Sequence, residues 1–285
     1  MKTLYVSDLD GTLLGSDARV SEFTSAVINK LVENGLLFSY ATARSLTTVK
    51  QVTQGLKASA PLIVHNGAFI IDNATEKVLR ANYFDGSVQR LLDRLFAANV
   101  FPIVYALIDG RERFSYCPHL RTRGMKAFLD MRKGDERTKV ADTPEELKRG
   151  NIFYITCIDE PEKLLPLYDE YREHYYCVYQ KDIYTHEQWL EIMPKAATKS
   201  NAMMQVKSML GCERVIAFGD GKNDIELFKA ADESYAVSNA NDELKKIATG
   251  IIPSNADDGV AKWLKENAAP VKDRPHPARA SLRPR

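Results

Sequence analysis

Short apolar runs that stop at acidic or polar loops carrying glycine recur along this chain, and each reads as a buried strand feeding a loop. Thr3 to Ser7 runs into Asp8-Leu9-Asp10-Gly11-Thr12, and Arg214 to Phe218 runs into Gly219-Asp220-Gly221-Lys222-Asn223-Asp224. Leu36 to Tyr40 ends at Ala41-Thr42-Ala43-Arg44-Ser45, and the run from Pro61 ends at Asn66-Gly67-Ala68. Beyond the second acidic loop, Ile225, Leu227, Phe228 and Ala231 recur at helical spacing, so that loop lies between a strand and a helix. The middle of the chain has its own pattern. Gly86 to Ala98 predicts an amphipathic helix with Val88, Leu91, Leu92, Leu95 and Phe96 on one face. Phe101 to Ile108 and Arg113 to Cys117 predict strands joined at Asp109-Gly110, a hairpin signal. Asn151 to Ile158 and Tyr175 to Tyr179 predict further strands, separated by a helix from Glu162 to Glu173; another helix is expected from about Ser200 to Leu210.

The chemistry lies at the strand ends. Strand residues i and i+2 face the same way, so Asp8 and Asp10 are expected to address one small volume at the strand's carboxyl edge, where one can attack an electrophile and the other move a proton. Asp220 and Asp224 join Asp8 in a hard, oxygen-rich set suited to Mg²⁺, with no His or Cys in it. A dinucleotide fingerprint needs Gly where Asp224 stands, a Walker A loop needs four residues between its glycines, and an EF-hand loop needs a third liganding position. The Thr42 hydroxyl and the Arg44 fork are suited to phosphate oxygens. Plainer readings exist for each: Asp10-Gly11 as a turn, Asp220 to Asp224 as an acidic helix cap, Thr42 as a cap, Asn66-Gly67 as a hairpin turn.

Taken together, these segments resemble the haloacid dehalogenase superfamily of phosphohydrolases, in its Cof-like branch with a large cap inserted after the third core strand. The matching residues are Asp8-Leu-Asp10-Gly-Thr12, Ala41-Thr42-Ala43-Arg44, Asn66-Gly67-Ala68, Lys199, Gly219 to Asp224 and Asp257-Asp258-Gly259-Val260-Ala261; Ala43 stands where many relatives carry glycine. The resemblance implies an α/β fold: a Rossmann-like parallel-sheet core from 1–82 and 190–268, and an inserted α/β cap from 83–189 that sets specificity. It implies that Asp8 forms an aspartyl-phosphate and that Asp10 serves as acid and then base. Mg²⁺ would lie among Asp8, the Asp10 carbonyl and Asp220, with Asp224 completing the metal's surroundings or orienting a lysine. Lys199 would neutralise the phosphoryl oxygens, with Thr42, Arg44, Asn66, Gly67 and Asn223 as phosphate-side groups. Lys195, a helical turn earlier, is the competing lysine. The expected activity is a phosphatase acting on small phosphorylated metabolites, sugar phosphates or phosphorylated cofactors. The alternatives are a phosphomutase or phosphotransferase using the same intermediate, and a non-catalytic binder.

Composition fits this picture. The chain has 285 residues, 27% of them charged, and a formal net charge of +1, which gives no general case for nucleic acid or membrane as a partner. No obligate protein partner is indicated. Cys117, Cys157, Cys177 and Cys212 are far apart with no C-x-x-C pair, so reduced thiols and a cytoplasmic location are expected. Residues 269–285 carry five Lys or Arg against Asp273, with four prolines, and read as a disordered basic tail. Tyr105, Arg111, Arg113, His119, Arg121 and Arg123, and the tyrosines between Tyr168 and Tyr184, are polar or aromatic groups of the middle segment that suit either a ligand or an ordinary surface and core.

Overall fold

The computed structural model of the protein describes residues 1–181 and 186–268. The expected tail at 269–285, and Tyr184 among the expected tyrosines, lie outside them. The chain forms two compact units, one built from 1–41, 45–62 and 206–268, the other from 42–44 and 63–205 with the same gap.

In chain order the first elements are β1 (Thr3–Ser7), α1 (Glu22–Glu33), β2 (Leu37–Tyr40), α2 (Leu46–Val52), β3 (Leu62–Val64), β4 (Phe69–Ile71) and β5 (Val78–Ala81). The middle segment supplies α3 (Val88–Ala97), β6 (Ile103–Ile108), β7 (Arg111–Tyr116), α4 (Arg123–Asp130), β8 (Thr138–Val140), β9 (Asn151–Ile158), α5 (Pro161–Tyr171), β10 (Tyr176–Lys181) and β11 (Gln188–Met193). The chain continues through α6 (Lys199–Leu210), β12 (Arg214–Gly219), α7 (Ile225–Ala230), β13 (Glu233–Val237), α8 (Asp242–Ile247), β14 (Gly250–Ile252) and α9 (Gly259–Asn267).

The first unit is built on a five-stranded parallel sheet in the order β14-β13-β12-β1-β2. Its inner strands β1 and β12 are apolar on both faces, as a parallel sheet covered by helices requires: Leu4, Val6, Ile216, Ala217 and Phe218 are all buried. Strand order reverses between β1, which leads on to β2, and β12, which leads on to β13. Ligands of open α/β sheets bind at the carboxyl ends flanking such a switch point. Helix α1 starts at Ser21, whose hydroxyl oxygen accepts from the Thr24 N–H at 2.9 Å. Asp258, in the left-handed conformation ahead of α9, accepts from the hydroxyls of Ser21 and Thr24 and ties α9 to that cap.

The second unit carries a six-stranded sheet, β10-β11-β9-β6-β7-β8, antiparallel except where β7 meets β8. The expected α3 face is buried at Val88, Leu91, Leu92 and Leu95, with Phe96 packed at its margin. Asp109 and Gly110 turn between β6 and β7 with φ of 51° and 73°, the left-handed pair of a tight hairpin. A bulge opposes Tyr105 and Ala106 of β6 with Tyr154 and Ile152 of β9, so that Phe153 is the extra residue. The tyrosines of the middle segment are largely structural. Tyr168, Tyr171, Tyr175 and Tyr179 pack on the margin of the α3 and α5 core, and the Tyr168 and Tyr179 rings stack at 5.3 Å. Arg111, His119, Arg121 and Arg123 are exposed.

Candidate active site

The acidic residues expected in the site belong to the first unit. Ser7 of β1 pairs with Phe218 of β12, and the Asp8 N–H donates to the Phe218 carbonyl at 2.9 Å, so the two acidic loops leave the sheet side by side. The strand ends at Ser7. The i, i+2 argument for Asp8 and Asp10 therefore does not hold: the chain turns back onto the Leu9 carbonyl, which accepts from Thr12, Leu13 and Leu14, leaving Asp8 buried and Asp10 exposed. Gly11 makes the turn at φ +78°, and any Cβ there would overlap the Asp220 carboxylate. The Thr12 hydroxyl donates to Asp220 Oδ1 at 3.0 Å. Asp224, fully buried, accepts on Oδ2 from the N–H groups of Asp220 and Gly221, each at 3.1 Å, so it holds the loop as a cap would.

Asp8, Asp220 and Asp224 each offer a carboxylate oxygen within 4.8 Å of the others. Three carboxylates this close, two of them buried and Asp220 half-buried, repel one another unless a cation joins them. The all-oxygen donor set fits Mg²⁺. The Asp10 carboxylate is outside this group, and the part expected of Asp10 there is its main-chain carbonyl. Asn223 is half-buried in the same loop. Two asparagines that the sequence pattern does not single out fasten the first loop. Asn239 donates to the Gly11 carbonyl at 2.8 Å, and Asn255 donates to the Leu14 carbonyl at 2.8 Å while its N–H reaches Asn239 Oδ1. Their only sequence signal is that of ordinary turn residues.

The polar residues belong to the second unit, which brings them together. Segment 42–44 lies along the end of β3 through three backbone hydrogen bonds: Thr42 N–H to Ile63, His65 N–H to Arg44 and Asn66 N–H to Thr42. Thr42 is buried, and its hydroxyl oxygen accepts from the Arg44 N–H at 3.1 Å. His65, Asn66 and Gly67 all have positive φ, and they join β3 to its neighbour β4. A Cβ on Gly67 would fall 2.6 Å from the Thr198 carbonyl carbon, so only glycine lets the turn lie against the entry to α6. Lys199 opens that helix and is 2% exposed. Lys195 is exposed and donates to the Glu173 carbonyl.

Behind the turn, Asn66 Nδ2 donates to the Tyr154 hydroxyl at 3.3 Å, and Tyr154 donates to Glu191 Oε1 at 2.7 Å. Burial pushes the Glu191 carboxyl up, with the Tyr154 hydrogen bond opposing it, and burial beside Glu191 holds the Tyr154 hydroxyl far above its ordinary value. His65 Nε2 lies 3.3 Å from Glu112 Oε1, which also meets Arg137 at 2.7 Å. Burial pushes Glu112 up, but His65 and Arg137 outweigh it and hold the carboxyl below its ordinary value.

A family model described as haloacid dehalogenase-like hydrolase matches residues 5–264. The chain belongs to that family. A 5-amino-6-(5-phospho-D-ribitylamino)uracil phosphatase of Bacillus subtilis is 28% identical over 274 residues, covering 92% of this chain and 96% of its own. Among solved structures, a Thermotoga maritima protein superposes with a TM-score of 0.75 at 23% identity, covering 93% of this chain and 97% of that one. A structure described as a haloacid dehalogenase subclass IIB sugar phosphatase superposes with a TM-score of 0.71 at 18% identity, over 93% of this chain and 98% of that one. These structural likenesses show a shared fold, the haloacid dehalogenase α/β fold with its parallel-sheet core. The protein is an enzyme, a haloacid dehalogenase phosphatase of the Cof type.

Proposed function

We propose that this phosphatase is Mg²⁺-dependent and hydrolyses small phosphorylated metabolites through an aspartyl-phosphate on Asp8. The observation that carries the reading is the trio of Asp8, Asp220 and Asp224, two of them buried and one half-buried, with carboxylate oxygens within 4.8 Å of one another, in a chain of this family. A carboxylate oxygen of Asp8 attacks phosphorus in line as the bond to the leaving alkoxide breaks, and Asp10 gives that alkoxide its proton. Asp10 then takes a proton from water, whose oxygen displaces Asp8 and releases inorganic phosphate. Asp8, Asp220 and Asp224, with the Asp10 carbonyl, hold the metal. When bound, Mg²⁺ supplies the positive charge that lets an anionic nucleophile approach an anionic phosphate. Thr42, Arg44, Asn66, Gly67 and Asn223 bind the phosphoryl oxygens, and Lys199 neutralises them at the start of α6.

The inserted segment 83–189 is read as the cap that selects the leaving group, with 1–82 and 190–268 as the catalytic core. Substrates of the class named for the relatives, a phosphorylated ribitylamino compound or a sugar phosphate, suit this scheme. Four free cysteines, three of them buried, support a cytoplasmic setting; among the described residues no helix is long and apolar enough to cross a membrane.

Phosphate release from sugar phosphates, nucleotides and phosphorylated vitamins, with Mg²⁺ or EDTA, tests the proposal in the wild type and Asp8→Asn. Turnover that needs both the metal and Asp8 is the expected result. Transfer of phosphate to a second sugar in place of release would move the reading to a phosphotransferase. Metal-independent turnover that survives Asp8→Asn would overturn it.

A further inference from the structure

His65 and Asn66 stand side by side in the left-handed backbone region, with φ of 49° and 53°, between β3 and β4. Side chains are strained there, and two in succession persist only where their surroundings hold them. The hold comes from the six-stranded sheet of the same unit. The Tyr154 hydroxyl of β9 accepts from the Asn66 side chain, and the His65 ring meets Phe153 of β9 edge-on at 5.0 Å and Phe69 of β4 at 5.9 Å. His65 is 5% exposed, and its Nε2 lies 3.3 Å from Oε1 of the half-buried Glu112 of β7. Among the described residues that nitrogen has no hydrogen-bond partner in line, so the Glu112 carboxylate alone answers its polarity.

Glu112 is itself fixed. Arg137 donates to it at 2.7 Å and grips both oxygens of Asp135, through Nε at 3.0 Å and a terminal nitrogen at 2.6 Å. Asp135, Arg137 and Glu112 thus form a chain of alternating charge that ends on His65, the first residue of the turn. The next two residues of that turn are Asn66 and Gly67, and the Thr42 and Arg44 carbonyls accept from the Asn66 and His65 N–H groups. All of these residues belong to the second unit. Packing alone does not call for this arrangement. Phenylalanine would fill the aromatic nest of His65 without burying a ring nitrogen, so the imidazole costs desolvation that only its pairing with Glu112 offsets. The other charged groups near the ring are occupied: Glu191 by Tyr154, and Arg132 over the Phe128 ring.

We infer that Glu112 is a positioning residue: acting through His65, it fixes the turn that carries Asn66 and Gly67 and so sets how tightly these phosphate-side groups hold a phosphoryl group or inorganic phosphate. The inference rests on the phosphatase reading above, in which Asn66 and Gly67 bind phosphoryl oxygens, and adds what holds them in place. Glu112 and His65 act through the backbone of the turn, without touching phosphate. A binding group displaced slightly loses much of its worth. Such a loss weakens the bound ground state and the transition state alike, and therefore raises KM more than it lowers kcat.

The test is KM, kcat and the inhibition constant of inorganic phosphate, with Mg²⁺ and the best substrate of the panel above. The proteins are the wild type, His65→Phe, Glu112→Gln, the double variant and Asn66→Ala. Each of the first two variants is expected to raise KM and the phosphate inhibition constant about fivefold with kcat changed less, and the double variant to be no worse than the weaker single one. Effects that add in the double variant, or constants unchanged in variants that merely melt lower, would overturn the inference. Asn66→Ala separates it from the reading beneath: constants unmoved there remove Asn66 from the phosphate side and the inference with it. Constants raised by Asn66→Ala alone remove only the inference, and no turnover of any substrate removes both. One measurement replaces neither member of the pair. Of the five histidines, His65 alone remains after His119→Gln, His174→Gln, His186→Gln and His276→Gln. Inorganic phosphate with Mg²⁺ is expected to shift its imidazole nitrogen NMR signals at inhibiting concentrations, and signals that stay put at saturation would overturn the inference.

Discussion

Thr12 and Asp220 are 208 residues apart in sequence, and the Thr12 hydroxyl donates to Asp220 Oδ1 at 3.0 Å. This bond fixes one carboxylate of the acidic trio from the opposite loop and, on the proposed reading, would set how that carboxylate meets Mg²⁺. Thr12→Val keeps the shape and deletes the donor. The expected outcome is Mg²⁺ activation about tenfold weaker, the usual scale for a residue that orients a metal ligand. Mg²⁺ titration of phosphate release measures it, and an unchanged activation constant would separate this hydroxyl from metal binding.

Asp224 combines two tasks that substitution can separate. Its Oδ2 accepts from the Asp220 and Gly221 N–H groups, so Asp224→Asn retains an oxygen for those bonds while removing a negative charge from the trio. The variant is expected to melt near the wild type without metal and to gain far less from Mg²⁺ than is expected of the wild type. Asp224→Ala leaves two part-buried donors without their acceptor, at about 1 kcal/mol each, the low end for a lost buried partner, and is expected to melt lower with or without metal. Thermal melts with Mg²⁺ and with EDTA report both effects.

How much of this could be read from the sequence depends on how local each feature is. Asp8, Asp220, Asp224 and Thr42 stand in loops that directly follow apolar runs, with glycines to let the backbone turn, so their grouping at strand ends was visible. The end of β1 at Ser7 was read correctly, but the turn that parts Asp10 from Asp8 was not, because it is made by backbone hydrogen bonds to Leu9 that no side-chain pattern announces. Helix ends were readable to within a few residues, Gly86 to Ala98 against Val88–Ala97 and Glu162 to Glu173 against Pro161–Tyr171, as fraying and caps allow. Strand β11 and helix α4 escaped notice. So did Asn239, Asn255, Tyr154 and Glu191, since each acquires its partner only through sheet register or a long-range loop contact.

Gly67 offers a test of the turn beside Lys199. Alanine at φ +97° is strained, and its Cβ would collide with the Thr198 backbone just ahead of α6. Gly134, at φ +86° with nothing within 4 Å of where a Cβ would sit, carries the same backbone strain without the collision. Gly134→Ala should cost about 1 kcal/mol of stability and little activity, whereas Gly67→Ala should cost about 1–3 kcal/mol more and lower kcat. Equal effects in the two variants would show that the contact with Thr198 does not matter to turnover.

Glu112 makes the stability of the second unit depend on pH with a definite sign. Its carboxyl titrates below the ordinary value of 4.5, because the pull of His65 and Arg137 outweighs burial, so the folded chain holds the charged form more tightly than the unfolded chain does. Stability from this group is present above the unfolded value and is lost as pH falls through the depressed folded value. Glu112→Gln removes the charge while keeping the shape. The wild type should therefore unfold at higher denaturant concentration than the variant at about pH 6, with the gap closing as pH falls below about 4. Denaturation midpoints of the two proteins across that range decide the matter: a gap that stays constant into acid would mean that shape and hydrogen bonding hold this cluster, with charge contributing nothing.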